Sequence, residues 1–183
     1  KDYNIPQMVK TPIFWVLVVM FIFANAAGTM MVSATSPIAQ KQIGLNAMSA
    51  ALCVSLMTLF NMFGRISFGF IYDKLKGWNS LILVLLINGI SMLMLTMAHS
   101  YAYFILCIAL VGFSFGGLLV VFAPMVKIIF IGYGIGAFVG PKISASFFDA
   151  TGSYVMGYIG SAILAALAIV LVLVAKKLQK TMN

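Results

Sequence analysis

Arg65 and Lys142 are the residues of this sequence with the most chemistry to offer. Each is a lone cation inside a long apolar stretch, Arg65 in FNMFGRISFGF and Lys142 in GAFVGPKISAS. An arginine or lysine at mid-depth of an apolar helix costs about 2.5–3.5 kcal/mol on insertion scales, and such residues face a bundle interior or a watery cavity. The acidic residues, Asp2, Asp73 and Asp149, stand at or beyond the ends of apolar stretches. No internal carboxylate is therefore positioned to neutralise either cation. Two fixed positive charges without a counter-ion describe a site for an incoming anion. A guanidinium offers a planar bidentate fork to a carboxylate, and an ammonium offers a point charge. The competing reading is snorkelling, in which the long stem carries its charge to the headgroups. Lys142 is about two helical turns from Asp149, and Arg65 is roughly 12 Å of helix rise from Asp73. The pair would have to snorkel in opposite directions, which favours one shared interior site.

Nothing else in the chain assembles into a reactive constellation. His99 is the one histidine and falls in a loop. Cys53 and Cys107 lie inside apolar runs, without CxxC spacing or a neighbouring histidine, and read as packing thiols. With no nucleophile–base pair and no clustered carboxylates, neither an enzyme nor a cofactor or metal is expected.

Those cations need a scaffold that makes them affordable. The 183 residues are 63% hydrophobic and 8% charged, with a mean hydropathy of +1.14. Soluble domains are about 45–50% apolar and about 25% charged, so lipid must solvate much of this chain. The formal charge of +8 would raise the question of nucleic acid in a soluble protein. Here the lysines cluster at the ends of apolar runs, the pattern that orients membrane proteins. Spans are expected at residues 12–32, 47–72, 81–98, 101–126, 128–148 and 154–175, giving an all-α polytopic bundle of six helices over 12–175. The runs are continuous rather than alternating, which excludes a β-barrel. Residues 1–11 read as the end of a cytoplasmic loop and 176–183 as a basic cytoplasmic tail.

Six spans put both termini on one side of the membrane. Lys1, Lys10, Lys74, Lys76, Lys127, Lys176, Lys177 and Lys180 then share that side, against Lys41 on the other. Positively charged loops stay cytoplasmic, so both ends are expected inside. Trp15, Tyr72 and Trp78 suit one interface, and Tyr101, Tyr103, Tyr154 and Tyr158 the other. Gly112 and Gly116, and Gly132, Gly136 and Gly140, repeat every fourth residue and predict close helix packing. Asn25, Asn61 and Asn88 divide between interhelical hydrogen bonding and cavity lining. Pro141, directly before Lys142, predicts a kink.

The stretch GRISFGFIYDKLKGW, residues 64–78, resembles the loop motif of the major facilitator superfamily. Gly69, Asp73 and Lys74 match it, Lys76 stands where the motif has its next glycine, and Gly77 is displaced by one. KTPIFWVLVVMFIFANAAGTMM, FNMFGRISFGFIYD and GYGIGAFVGPKISAS together look like the oxalate/formate antiporter and monocarboxylate transporter branch of that superfamily. The resemblance implies the C-terminal six-helix half of a twelve-helix fold. It implies a plasma or inner membrane location and a need for an N-terminal half, which fits a chain whose first residue is Lys1. It implies that Arg65 and Lys142 bind a small carboxylate such as oxalate, formate or a lactate-type acid. It also implies that Gly69, Asp73 and Lys74 form a conformational motif, with Asp73 bracing helix ends in one conformation. The connection between the fourth and fifth spans is shortened relative to the family and is expected to close by a tight turn at 123–127. Against alternating-access transport stands one alternative of another class, a non-transporting membrane remnant or assembly partner.

Overall fold

The computed structural model describes the backbone of residues 10–124 and 130–182 and, within these, the side chains of 10–124 and 135–177. Most of the 1–11 loop, most of the turn expected at 123–127, and the surroundings of Lys127, Gly132 and Lys180 lie outside the described residues. The described chain is all helical: α1 (Pro12–Lys41), α2 (Ala47–Leu95), α3 (Tyr101–Phe122), α4 (Phe130–Thr151) and α5 (Val155–Met182). Among the described residues four helices are long and apolar enough to cross a membrane: α1, α2, α3 and Val155–Lys177 of α5.

Five helices stand where six were expected, because the spans predicted at 47–72 and 81–98 belong to the single element α2. Its 49 residues would reach roughly 73 Å if straight, more than twice the hydrocarbon thickness. It is not straight. Lys76 has φ 61° and ψ 167°, outside helical geometry. The Ser80 hydroxyl donates to the carbonyl of Ile71 at 3.4 Å, a contact that a straight helix would hold about 13 Å apart. The chain therefore doubles back at Lys76. Ascending residues of the first limb (47–75) meet ascending residues of α3, with Met57 at Gly112, Asn61 at Gly116 and Phe68 at Gly117. On the second limb (77–95) the order reverses: Asn88 donates to Ser114 at 3.1 Å, while Met92 and Leu95 join the cluster of Phe104 and Cys107.

α1 also departs from expectation, running nine residues past the predicted end at 32. The Ser/Thr/Pro-rich segment reads as a loop because such side chains compete with the helix for hydrogen bonds. Here they bond backward within it: Ser33 Oγ to the Met30 carbonyl at 2.9 Å and Thr35 Oγ1 to that of Met31 at 2.6 Å. Pro37 sits inside the helix. At the same end Asn46 caps α2, its Oδ1 accepting from Ser49 N at 2.8 Å.

Two apolar clusters hold the bundle. One joins Met31, Ile38, Cys53, Leu95, Phe104 and Cys107; the other joins Phe21, Phe68, Leu85, Leu118 and Phe122. Both cysteines are free and buried, as packing thiols should be. Glycines let the backbones meet. A Cβ on Gly112 or Gly116 would strike the carbonyl oxygen of Met57 or Asn61, and one on Gly140 would strike that of Ala26. Tyr158, expected at a wet interface, is instead fully buried. Its hydroxyl donates to Gln42 Oε1 at 2.8 Å, and Gln42 Nε2 donates to the Ala98 carbonyl at 2.8 Å. Gln42 thus ties the ends of α1 and α2 to α5. The outer faces are apolar, as a lipid-facing surface must be, with Ile163, Val170 and Leu173 each about half exposed on α5.

Candidate functional site

Between the two clusters, α1, the first limb of α2, α3 and α4 surround a pocket of about 430 Å³. Small-molecule sites usually fall within about 300–1,000 Å³. Its walls come from the middle of each helix. Val32, Val54, Met57, Phe115 and Pro141 supply apolar surface, while Thr29, Ser33, Thr58, Asn61 and Arg65 supply polar groups. Arg65 is the one charged residue among the described residues lining it.

The first limb places these polar groups by simple helical spacing. Thr58, Asn61 and Arg65 are three and four residues apart, which stacks them on one face. Arg65 Nε donates to Asn61 Oδ1 at 3.1 Å. That bond uses the side edge of the guanidinium and leaves the terminal amino groups for another partner. Neither Arg65 nor Lys142 has an acidic partner within 4.0 Å among the described residues. The hydroxyls are committed differently. Thr29 Oγ1 donates to the Asn25 carbonyl at 3.0 Å and also approaches the Gly136 carbonyl of α4 at 3.2 Å. Ser33 donates to Met30 at 2.9 Å and Thr58 to the Val54 carbonyl at 2.9 Å. Each of those protons is held by main chain, so the hydroxyls face the pocket as acceptors and the N–H groups of Arg65 and Asn61 are its donors.

α4 reaches the pocket because Gly136 and Gly140 lie against Asn25 and Ala26 of α1. Ala137 and Pro141 are thereby brought to the wall. Pro141 has no N–H, so the Ala137 carbonyl loses its normal helical donor. Lys142 follows Pro141 but does not line the pocket. It is exposed, and its Nζ lies 4.9 Å from the centroid of the Phe138 ring, one turn back along α4 and away from Asp149. The structure therefore brings Arg65 into the pocket and leaves Lys142 beside it, on a different helix.

The three matches to the loop motif lie at the far end of the first limb. A Cβ on Gly69 would meet open space, and Asp73 and Lys74 are exposed. Lys76 adopts a positive φ, the conformation that a glycine at that motif position permits freely. Asn88 makes the interhelical hydrogen bond expected of it, whereas Asn61 lines the pocket. Thr29, Ser33, Thr58 and Phe115 are lining residues that sequence reasoning passes over. The polar spacing at 29/33 and 58/61/65 was the available signal. Among the described residues no cluster of histidine, cysteine or acidic side chains could hold a metal ion.

A helical bundle with, among the described residues, four helices long and apolar enough to cross a membrane and a cation lining a pocket between them defines a polytopic membrane protein. Sequence comparison places it further. The Major Facilitator Superfamily pattern matches residues 4–128, and the chain belongs to that family, whose members are transporters rather than enzymes. It is 30% identical over 151 residues to YhjX, an uncharacterized MFS-type transporter of Escherichia coli (strain K12), covering 75% of this chain and 38% of that protein. It is 32% identical over 119 residues to the oxalate:formate antiporter of Oxalobacter formigenes, covering 64% of this chain and 28% of that protein. The chain thus spans well under half the length of these curated relatives.

Proposed function

We propose that this chain forms one half of a secondary transporter for small carboxylate anions, oxalate, formate or lactate-type acids, working by alternating access. The observation that carries the reading is Arg65. A guanidinium at mid-bundle lines a pocket of substrate size and has no acidic partner among the described residues. Its terminal amino groups take the carboxylate as a bidentate pair. Lys142, folded back over Phe138 rather than toward the nearer helix end, supplies the second charge as the opposing half closes. The two limbs of α2 act as two spans joined at Lys76, giving six crossings with both termini cytoplasmic in the plasma or inner membrane. Asp73 and Lys74, exposed beside that joint, brace it against neighbouring helix ends in one conformation. An N-terminal six-helix half completes the cavity. The oxalate:formate antiporter among the relatives supports the choice of substrate.

The test is equilibrium binding of labelled oxalate, formate and lactate to the protein in liposomes, with Arg65→Gln and Lys142→Gln beside the wild type. Loss of affinity of tenfold or more in Arg65→Gln supports the site. Unchanged affinity in both variants refutes it.

A further inference from the structure

We infer that Asn61 is the positioning residue of this site. It fixes the attitude of the Arg65 guanidinium and, being uncharged, leaves the whole of that charge to the ligand. This rests on the carboxylate reading above and adds to it how the site is tuned.

Three observations converge. Asn61 Oδ1 takes the Nε–H of Arg65 at 3.1 Å, so the guanidinium cannot rotate its side edge toward an anion without breaking that bond. What remains is end-on presentation of the two terminal amino groups, the geometry that matches a carboxylate fork. Asn61 is itself fixed at the backbone, because its carbonyl oxygen lies where a Cβ on Gly116 of α3 would stand. The anchor of the arginine is therefore part of a close main-chain contact between α2 and α3 at the pocket. Finally, Asn61 lines the pocket in its own right. With Oδ1 turned to Arg65, its Nδ2 is left as a neutral donor with no protein partner among the described residues.

The chemistry of the amide matters as much as its position. A carboxylate in the same place would also accept from Nε, with stronger geometry, but it would cancel the guanidinium charge. An arriving anion would then have to displace it or wait for it to be protonated. No other titratable side chain lines the pocket from α1, α2, α3 or α4 among the described residues. The wild-type site consequently binds an anion without taking up a proton.

The experiment measures binding of trifluoroacetate, an acid that stays ionised throughout, to the liposome-embedded chain by titration calorimetry. Buffers of different ionisation enthalpy report protons exchanged on binding. The variants are Asn61→Ala, Asn61→Asp and Arg65→Gln. Helix content and thermal unfolding identify any variant that fails to fold. The wild type is expected to bind with no proton uptake and an affinity flat with pH. Asn61→Ala loses about tenfold, the effect of one hydrogen bond to a charged group. Asn61→Asp binds weakly at neutral pH, takes up a proton on binding, and recovers as pH falls. That proton uptake places position 61 beside the bound anion, and the loss in Asn61→Ala with folding intact reports the positioning itself. If Arg65→Gln abolishes binding while both Asn61 variants bind as the wild type does, the positioning role is wrong and the carboxylate site stands. If the wild type binds no anion, or Arg65→Gln binds as well as the wild type, both readings fall together.

Discussion

Replacing Lys76 by glycine should stabilise this protein. Lys76 sits at φ 61° and ψ 167° where α2 doubles back. That region is essentially glycine-only, and a residue with a Cβ held there suffers about 1–3 kcal/mol of strain. Glycine removes the clash but loses more freedom on folding, which offsets about 0.5–1 kcal/mol. The net expectation is a gain of about 0–2.5 kcal/mol. The Lys76 side chain is exposed, and the hydrogen bond at this position runs from Ser80 Oγ to its main-chain carbonyl at 2.9 Å, which glycine keeps. Lys76→Ala is the control, since it removes charge and stem but keeps the Cβ. Unfolding of the detergent-solubilised protein in increasing SDS, followed by circular dichroism, measures the difference. Lys76→Gly should unfold later than the wild type and Lys76→Ala close to it. If Lys76→Gly is no more stable than Lys76→Ala, the bend does not store the strain its dihedral angles imply.

Gly116→Ala drives a methyl into the Asn61 carbonyl oxygen with main chain on both sides; about 1–3 kcal/mol of destabilisation and weaker carboxylate binding are expected in the same unfolding and binding assays. Tyr158→Phe leaves Gln42 Oε1 without its donor at 2.8 Å; the expected loss is about 1–3 kcal/mol, and a melt equal to that of the wild type would show that the Gln42 tie is dispensable. The chain alone in sealed liposomes should bind labelled carboxylate but transport none, and uptake above the leak of empty vesicles would remove the need for an opposing half.

Arg65, Asp73 and Lys76 mark the limits of what could be seen before the structure. The cost of an unpaired cation in hydrocarbon was enough to single out Arg65, because that cost depends on residue type and depth, which hydropathy reveals. The same argument singled out Lys142, yet the structure sets it beside the pocket, over Phe138. Depth along one helix is a local property, whereas rotation against the other helices depends on which glycines allow approach. Helix continues past the apolar run where polar side chains bond to their own helix, as Ser33 and Thr35 do. The division of α2 was expected from the polar residues near Asp73, but the chain turns within a single residue and helix resumes directly. Asn61 could be assigned only once its partner was known. An asparagine in an apolar run is compatible with a neighbouring helix or a cavity, and the difference is the position of one side chain four residues away.

Glycine-to-main-chain contacts pair the helices of the pocket wall into two doublets, with the Phe115 side chain of α3 packed on Gly28 of α1 across the joint. α3 is locked to the first limb of α2 through Gly112 and Gly116, and α4 is locked to α1 through Gly136 and Gly140. Arg65 and Asn61 ride on the first doublet, while Thr29, Ala137 and Pro141 ride on the second. With main chain against main chain inside each doublet, neither can slip internally without collision. The cavity straddles the joint between them, so a small tilt of one doublet against the other changes its width while the guanidinium keeps its own hydrogen bond intact.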